Sequence, residues 1–213
     1  MKTITLKWLK RGFKLMQYSL IIISIFAIVN SFLILFQALD FGLLFIIGYI
    51  LLFLSIILIL IDSQYIESFS FIISIPLILI FLILPFIFNF VLINVNINLI
   101  KNINILIFLF FIISYISFFF LYKSFLRNKD LKILGYVTLF CLISSSIIFS
   151  ISLYTLDLFL SIENINKAYV ARLMQGYLYL YYSFTLPFVY LINFIYEGIV
   201  KLEKELALKW TIV

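Results

Sequence analysis

Three acidic residues lie in or beside long apolar stretches: Asp40, Asp157 and Glu197. An ionisable group next to hydrocarbon is costly and often marks a proton or ion route. All three also lie near the ends of apolar runs, where water and headgroups reach them, so an interfacial role competes with a functional one. Asp40 has the stronger functional claim. It precedes a charge-free stretch, 41–61, that contains Gly48 and Tyr49. Glycine beside tyrosine inside a span permits close backbone approach and can mark a hinge or π-bulge. Ordinary tight helix packing accounts for the pair equally well.

Other chemistry is excluded by residue type. The chain has no histidine and a single cysteine, Cys141. Imidazole catalysis and His-ligated haem are therefore ruled out. No intrachain disulfide and no cysteine-held zinc or iron–sulfur centre can form. Cys141 sits in an apolar run and reads as a small buried hydrophobe. A glycine-rich phosphate loop is also missing, so no cofactor is expected on this chain. Movement of protons or ions, or support of a larger assembly, remains.

The elements that must position these residues follow from composition. Of the 213 residues, 66% are hydrophobic and only 11% charged, against roughly 25% charged in soluble domains. In hydrocarbon every backbone donor and acceptor must be satisfied internally, which leaves helices or a closed barrel. Barrel strands alternate apolar and polar residues, whereas these apolar runs are continuous. The class is an all-α integral membrane protein. Six transmembrane helices are expected, at Tyr18–Leu39, Phe41–Ile61, Phe71–Ile93, Ile105–Tyr122, Ile133–Leu160 and Tyr177–Val200. The third carries Pro76 and Pro85, and the last Pro187 and Asn193. The tyrosines at 177, 179, 181 and 182 read as an interfacial belt.

Three regions result: 1–17, a basic amphipathic surface helix; 18–200, the six-span bundle; and 201–213, an amphipathic C-terminal tail. In the first, Leu6, Leu9, Phe13 and Met16 share one helical face, and Lys7, Lys10, Arg11 and Lys14 fall on another. With six spans, all basic residues except Lys101, Lys167 and Arg172 lie on one side. The positive-inside rule then puts both termini in the cytoplasm or mitochondrial matrix. The net charge of +6 reports topology in such a protein, and no nucleic-acid partner is expected. The excess of Phe, Ile and Asn suggests AT-rich coding, as in organelle genomes and some bacteria.

The segment Ser19–Asp62 resembles subunit 6 of respiratory NADH:ubiquinone oxidoreductase, complex I. That family has a helix with a central asparagine, here near Asn30, and then a short join. A pattern like L-[ED]-F-x-x-L-F-I-I-x-Y-[VI] follows. It is matched by Leu39, Asp40, Phe41, Leu44, Phe45, Ile46, Ile47, Tyr49 and Ile50. The stretch Leu178–Phe194 is similar to the family's aromatic, proline-containing last helix. In the family a glycine usually follows the tyrosine; here Gly48 precedes it.

The resemblance implies a membrane-arm subunit of a proton-pumping complex in the mitochondrial inner membrane, with both termini in the matrix. Its partners would be other membrane-arm subunits and lipids. Quinone, flavin and iron–sulfur clusters would belong to those other subunits. The 41–61 helix would be a switching element, with Asp40, Gly48 and Tyr49 in the proton path or its gate, and Asp157 and Glu197 as weaker candidates. Two alternatives stand beside it: an accessory subunit of another respiratory or ATP-synthase membrane complex, and a small bacterial membrane protein such as an immunity or permease component.

Overall fold

The computed structural model describes residues 6–35, 42–62, 71–78, 97–126, 128–161 and 167–209. The described residues form helices α1 (Lys7–Leu35), α2 (Gly42–Ile61), α3 (71–78 in its described part), α4 (Ile97–Lys123), α5 (Leu131–Leu160), α6 (Lys167–Ser183) and α7 (Leu186–Lys209), with no strand among them. Four helical stretches are long and apolar enough to cross a membrane: Lys7–Ile34, Leu99–Lys123, Leu131–Phe159 and Ala168–Ala207. The last combines α6 and α7. The apolar stretch of α2, Ile46–Ile61, is shorter. The expected third span lies largely outside the described residues, as do Asp40 and Pro85.

α1 shows why the apolar pattern of its first turns matters. Residues 7–17, expected to lie on the membrane surface, continue into the first span without a break. The helix has 29 residues, about 44 Å at 1.5 Å per residue, against a hydrocarbon core of about 30 Å. Leu6, Leu9, Phe13 and Met16 do form one face, and all are fully buried. They pack within the bundle, with Phe13 edge-on to Phe125 at 4.9 Å. Gly12 makes this possible. A Cβ there would meet Ile59 Cγ1 at 2.7 Å and the Ser55 carbonyl oxygen at 2.9 Å on α2.

The start of α1 is closed by two other helices. The backbone N–H of Leu6 donates to Glu203 Oε1 of α7 at 2.8 Å. That of Leu9 donates to Asp62 Oδ2, at the end of α2, also at 2.8 Å. These are the two donors that a local capping box would serve. Lys10 Nζ completes the corner on Glu203 Oε2 at 2.6 Å. The cation therefore offsets one of the carboxylates that close the helix.

α4 and α5 form an antiparallel pair, and α4 ends in a tight turn. There the N–H groups of Phe125 and Leu126 both donate to the Tyr122 carbonyl at 3.0 Å. Along their seam Phe108 stacks on Phe149, with centroids 4.3 Å apart. Asn104 Nδ2 donates to Ser152 Oγ at 2.8 Å. The Lys101–Asp157 ion pair stands near the start of α4 and the end of α5. The opposite end of the bundle gathers the start of α1, the α4–α5 turn and the end of α7. The Lys10–Glu203 and Phe13–Phe125 contacts join these three.

The region 161–176, expected as a connection, is helical from Lys167. The expected last span is split. α6 ends at Ser183 and α7 begins at Leu186, with Phe184 and Thr185 as a turn between. Pro187 supplies the reason. It has no N–H to give the carbonyl four residues back, and its ring crowds that carbonyl, so the helix breaks and restarts with proline in the new first turn.

Candidate functional site

A broken helix inside a membrane bundle frees carbonyl groups, and each must find a donor. Here the donors to the carbonyls come from α4 and α5 as well as from the junction itself, and α1 adds a contact behind them. Phe184 N–H and Thr185 N–H turn back to the Tyr181 and Tyr182 carbonyls at 3.2 and 3.1 Å. The Tyr181 carbonyl also receives the Tyr115 hydroxyl of α4 at 2.7 Å. Behind it, Ser145 Oγ of α5 donates to the Tyr115 hydroxyl at 3.3 Å. Ser145, Tyr115 and the Tyr181 carbonyl thus form a chain of donors and acceptors across three helices.

The second freed carbonyl is served within the turn. Thr185 Oγ1 donates to the Tyr182 carbonyl at 2.8 Å. A hydroxyl has one proton to give, so the 2.9 Å contact between Thr185 and Ser24 of α1 has Ser24 as its donor. The carbonyl of Phe184 is met by the Cys141 thiol at 3.2 Å. Cys141 is buried, as a small apolar residue would be, and it also closes the polar shell of the break.

Aromatic rings surround this junction. Tyr181 stacks on Phe111 at 4.9 Å, and Tyr182 meets Phe111 edge-on at 4.7 Å. Phe188, just past the break, contacts Tyr115, Phe118 and Tyr122. Such pairs add about 0.5–1.5 kcal/mol beyond the area they bury. They hold the hydroxyls and carbonyls in register.

The sequence-expected site residues separate into two groups. Tyr49 is only 4% exposed and meets Tyr182 edge-on, with centroids 5.8 Å apart and planes at 90°. Gly48 is the contact point of α2 with α1: a Cβ there would lie 2.7 Å from Ile23 Cγ1 and 3.2 Å from Ile22 Cγ2. α2 is α-helical throughout its described length, with no π-turn. Its other face, which includes Ile47, Ile50, Phe53 and Ile57, is exposed. The two acids are elsewhere. Asp157 is on the surface, its side chain 60% exposed and paired with Lys101. Glu197 is exposed on α7. Asp40 lies outside the described residues.

Sequence reasoning missed Tyr115, Tyr181, Tyr182, Ser24 and Thr185 as a group. The tyrosines read as an interfacial belt, yet Tyr179, Tyr181 and Tyr182 are buried. One available signal was Pro187, five residues after Tyr182, since a proline in a span calls for donors near the residues before it. No cluster of potential metal ligands occurs among the described residues. Compared with known proteins, the chain matches no family model, no curated sequence and no solved structure. The protein is a membrane-type helical bundle. Its polar interior is built around a proline-broken helix and the tyrosines that stitch it.

Proposed function

We propose that this chain is a membrane-arm subunit of a proton-pumping respiratory NADH:ubiquinone oxidoreductase of the mitochondrial inner membrane, with both termini in the matrix. In this reading α2 is a switching element beside the proton path. Asp40, Gly48 and Tyr49 belong to the path or its gate, and quinone and redox centres are held by other subunits. The observation that carries it is the position of Tyr49. The tyrosine of the Leu39–Ile50 pattern faces inward onto Tyr182, at the break between α6 and α7. A hydroxyl-lined break has two ways to satisfy its carbonyls, through neighbouring side chains or through water. A shift of α2 past α1 at Gly48 would change which of them Tyr182 meets. The charge asymmetry supports the orientation through the positive-inside rule.

The test is biochemical. Native membranes solubilised in mild detergent should carry the chain in a large assembly that oxidises NADH. Migration as a free monomer away from any NADH-oxidising partner overturns the proposal.

One observation favours a second reading, a structural accessory subunit of another respiratory or ATP-synthase membrane complex. Asp157 and Glu197 are exposed, and Asp157 is taken up by Lys101, as expected of interfacial groups with no part in transport. The same solubilised fraction separates the two readings by the activity that co-migrates with the chain.

A further inference from the structure

We infer that the cleft between α1 and α7, lined by Lys10, Arg11, Lys14, Gln17 and Tyr196, binds the phosphate of an anionic phospholipid. The cleft has a volume of about 350 Å³, large enough for a phosphate ester and the glycerol next to it. Its cations differ in what they already do. Lys10 is held by Glu203 at 2.6 Å. Arg11 is exposed, lies over the Trp8 ring at 5.2 Å and has no acidic partner among the described residues. Lys14 is exposed and has no acidic partner among the described residues. Tyr196 on the facing helix donates its hydroxyl to the Lys10 carbonyl at 3.2 Å, which fixes the wall of the cleft. Arg11 and Lys14 thus face it with positive charge that no acid among the described residues neutralises.

The chemistry along α1 points to a lipid as the source of that phosphate. Residues 11, 14, 18, 25, 29 and 32 repeat at helical spacing and share one outward face. All six are exposed. In order they are Arg11, Lys14, Tyr18, Ile25, Val29 and Phe32: two cations, an amphipathic ring, then three apolar side chains. A phospholipid has the same order along its length, with phosphate first, then ester level, then acyl chain. Tyrosine is favoured at the ester level, and basic residues next to a span attract anionic headgroups. A soluble phosphate would have no use for the apolar continuation.

The test uses the full chain in dodecyl maltoside, titrated with phosphatidylglycerol, phosphatidylcholine or inorganic phosphate, with bound lipid read by native mass spectrometry. Wild type should retain phosphatidylglycerol over phosphatidylcholine by about ten-fold, and the preference should fall as salt is raised. R11Q/K14Q should reduce it to near parity. K129Q/K132Q, which removes two cations from the α4–α5 turn region, should leave it within about two-fold. If the double variant does not fold, Lys14→Glu alone, at an exposed position, must abolish the preference. The inference is overturned if R11Q/K14Q or Lys14→Glu keeps the preference, or if K129Q/K132Q loses it equally. Displacement of bound phosphatidylglycerol by millimolar inorganic phosphate would assign the cleft to free phosphate and overturn the lipid reading.

Discussion

Tyr115 of α4 donates its hydroxyl to the backbone carbonyl of Tyr181 at 2.7 Å, one turn before the chain breaks at Phe184. A side chain from one helix thereby completes the backbone of another. Tyr115→Phe keeps the ring stack and removes only the donor. It should destabilise the bundle by about 1 kcal/mol, the cost of a buried acceptor losing the shorter of its two hydrogen bonds. Unfolding in detergent–SDS mixtures measures this. An unchanged midpoint would mean that the Phe184 N–H, 3.2 Å from the same carbonyl, satisfies it alone.

Glycine substitutions should rank by what the new methyl group meets. At Gly198 it would run into the Phe125 carbonyl, a backbone atom that cannot swing aside. At Gly48 it meets Ile23 Cγ1 at 2.7 Å, part of a stiff β-branched side chain but not backbone, with the Ile23 backbone nitrogen farther off at 3.3 Å. At Gly135 nothing lies within 4 Å. Gly198→Ala should therefore be the most damaging and Gly48→Ala intermediate. Gly135→Ala should stabilise by up to about 1 kcal/mol through helix propensity. Thermal unfolding of the three variants in one detergent gives the order.

Glu203 serves the Leu6 N–H and pairs with Lys10, whereas Lys201 and Glu205 form an exposed pair at 3.5 Å. Glu203→Ala should cost about 1–2 kcal/mol, because a helix start loses its acceptor and Lys10 its partner. Lys201→Ala should be nearly neutral, as exposed pairs are. Hydrogen exchange of the first turn of α1 reports the difference locally. It should rise in the first variant only.

The proposed function makes its own demand on Tyr49. Tyr49→Phe retains the edge contact with Tyr182 and removes the hydroxyl. In an assembled complex it should lower proton pumping several-fold while leaving the amount of assembled complex within about two-fold of wild type. Unchanged pumping would remove Tyr49 from the gate.

The acids provide an independent comparison. Asp157 is exposed and paired at the rim of α4 and α5, so Asp157→Asn should leave turnover near wild type. Asp40→Asn should reduce turnover by more, because Asp40 opens the stretch that carries Tyr49. Equal and negligible effects would return both acids to an interfacial role.

The sequence by itself determined the class. Long uncharged runs cannot be hydrated, and in hydrocarbon only self-bonded helices satisfy such backbones. The apolar face of Leu6, Leu9, Phe13 and Met16 was legible as well, because helical spacing is a local property. A close approach at Gly48 was legible as one of two readings, beside a hinge or π-bulge. Only the tertiary structure decided what that first face packs on. Periodicity says that a face is apolar; it does not say whether lipid or protein covers it. The polar shell of the break was decided there too. Ser24, Tyr115, Cys141 and Ser145 are far from Thr185 in sequence, and each alone reads as an ordinary residue in an apolar run. Their common purpose follows from Pro187, which breaks the helix and leaves carbonyls that the junction and the neighbouring helices, once packed, satisfy together.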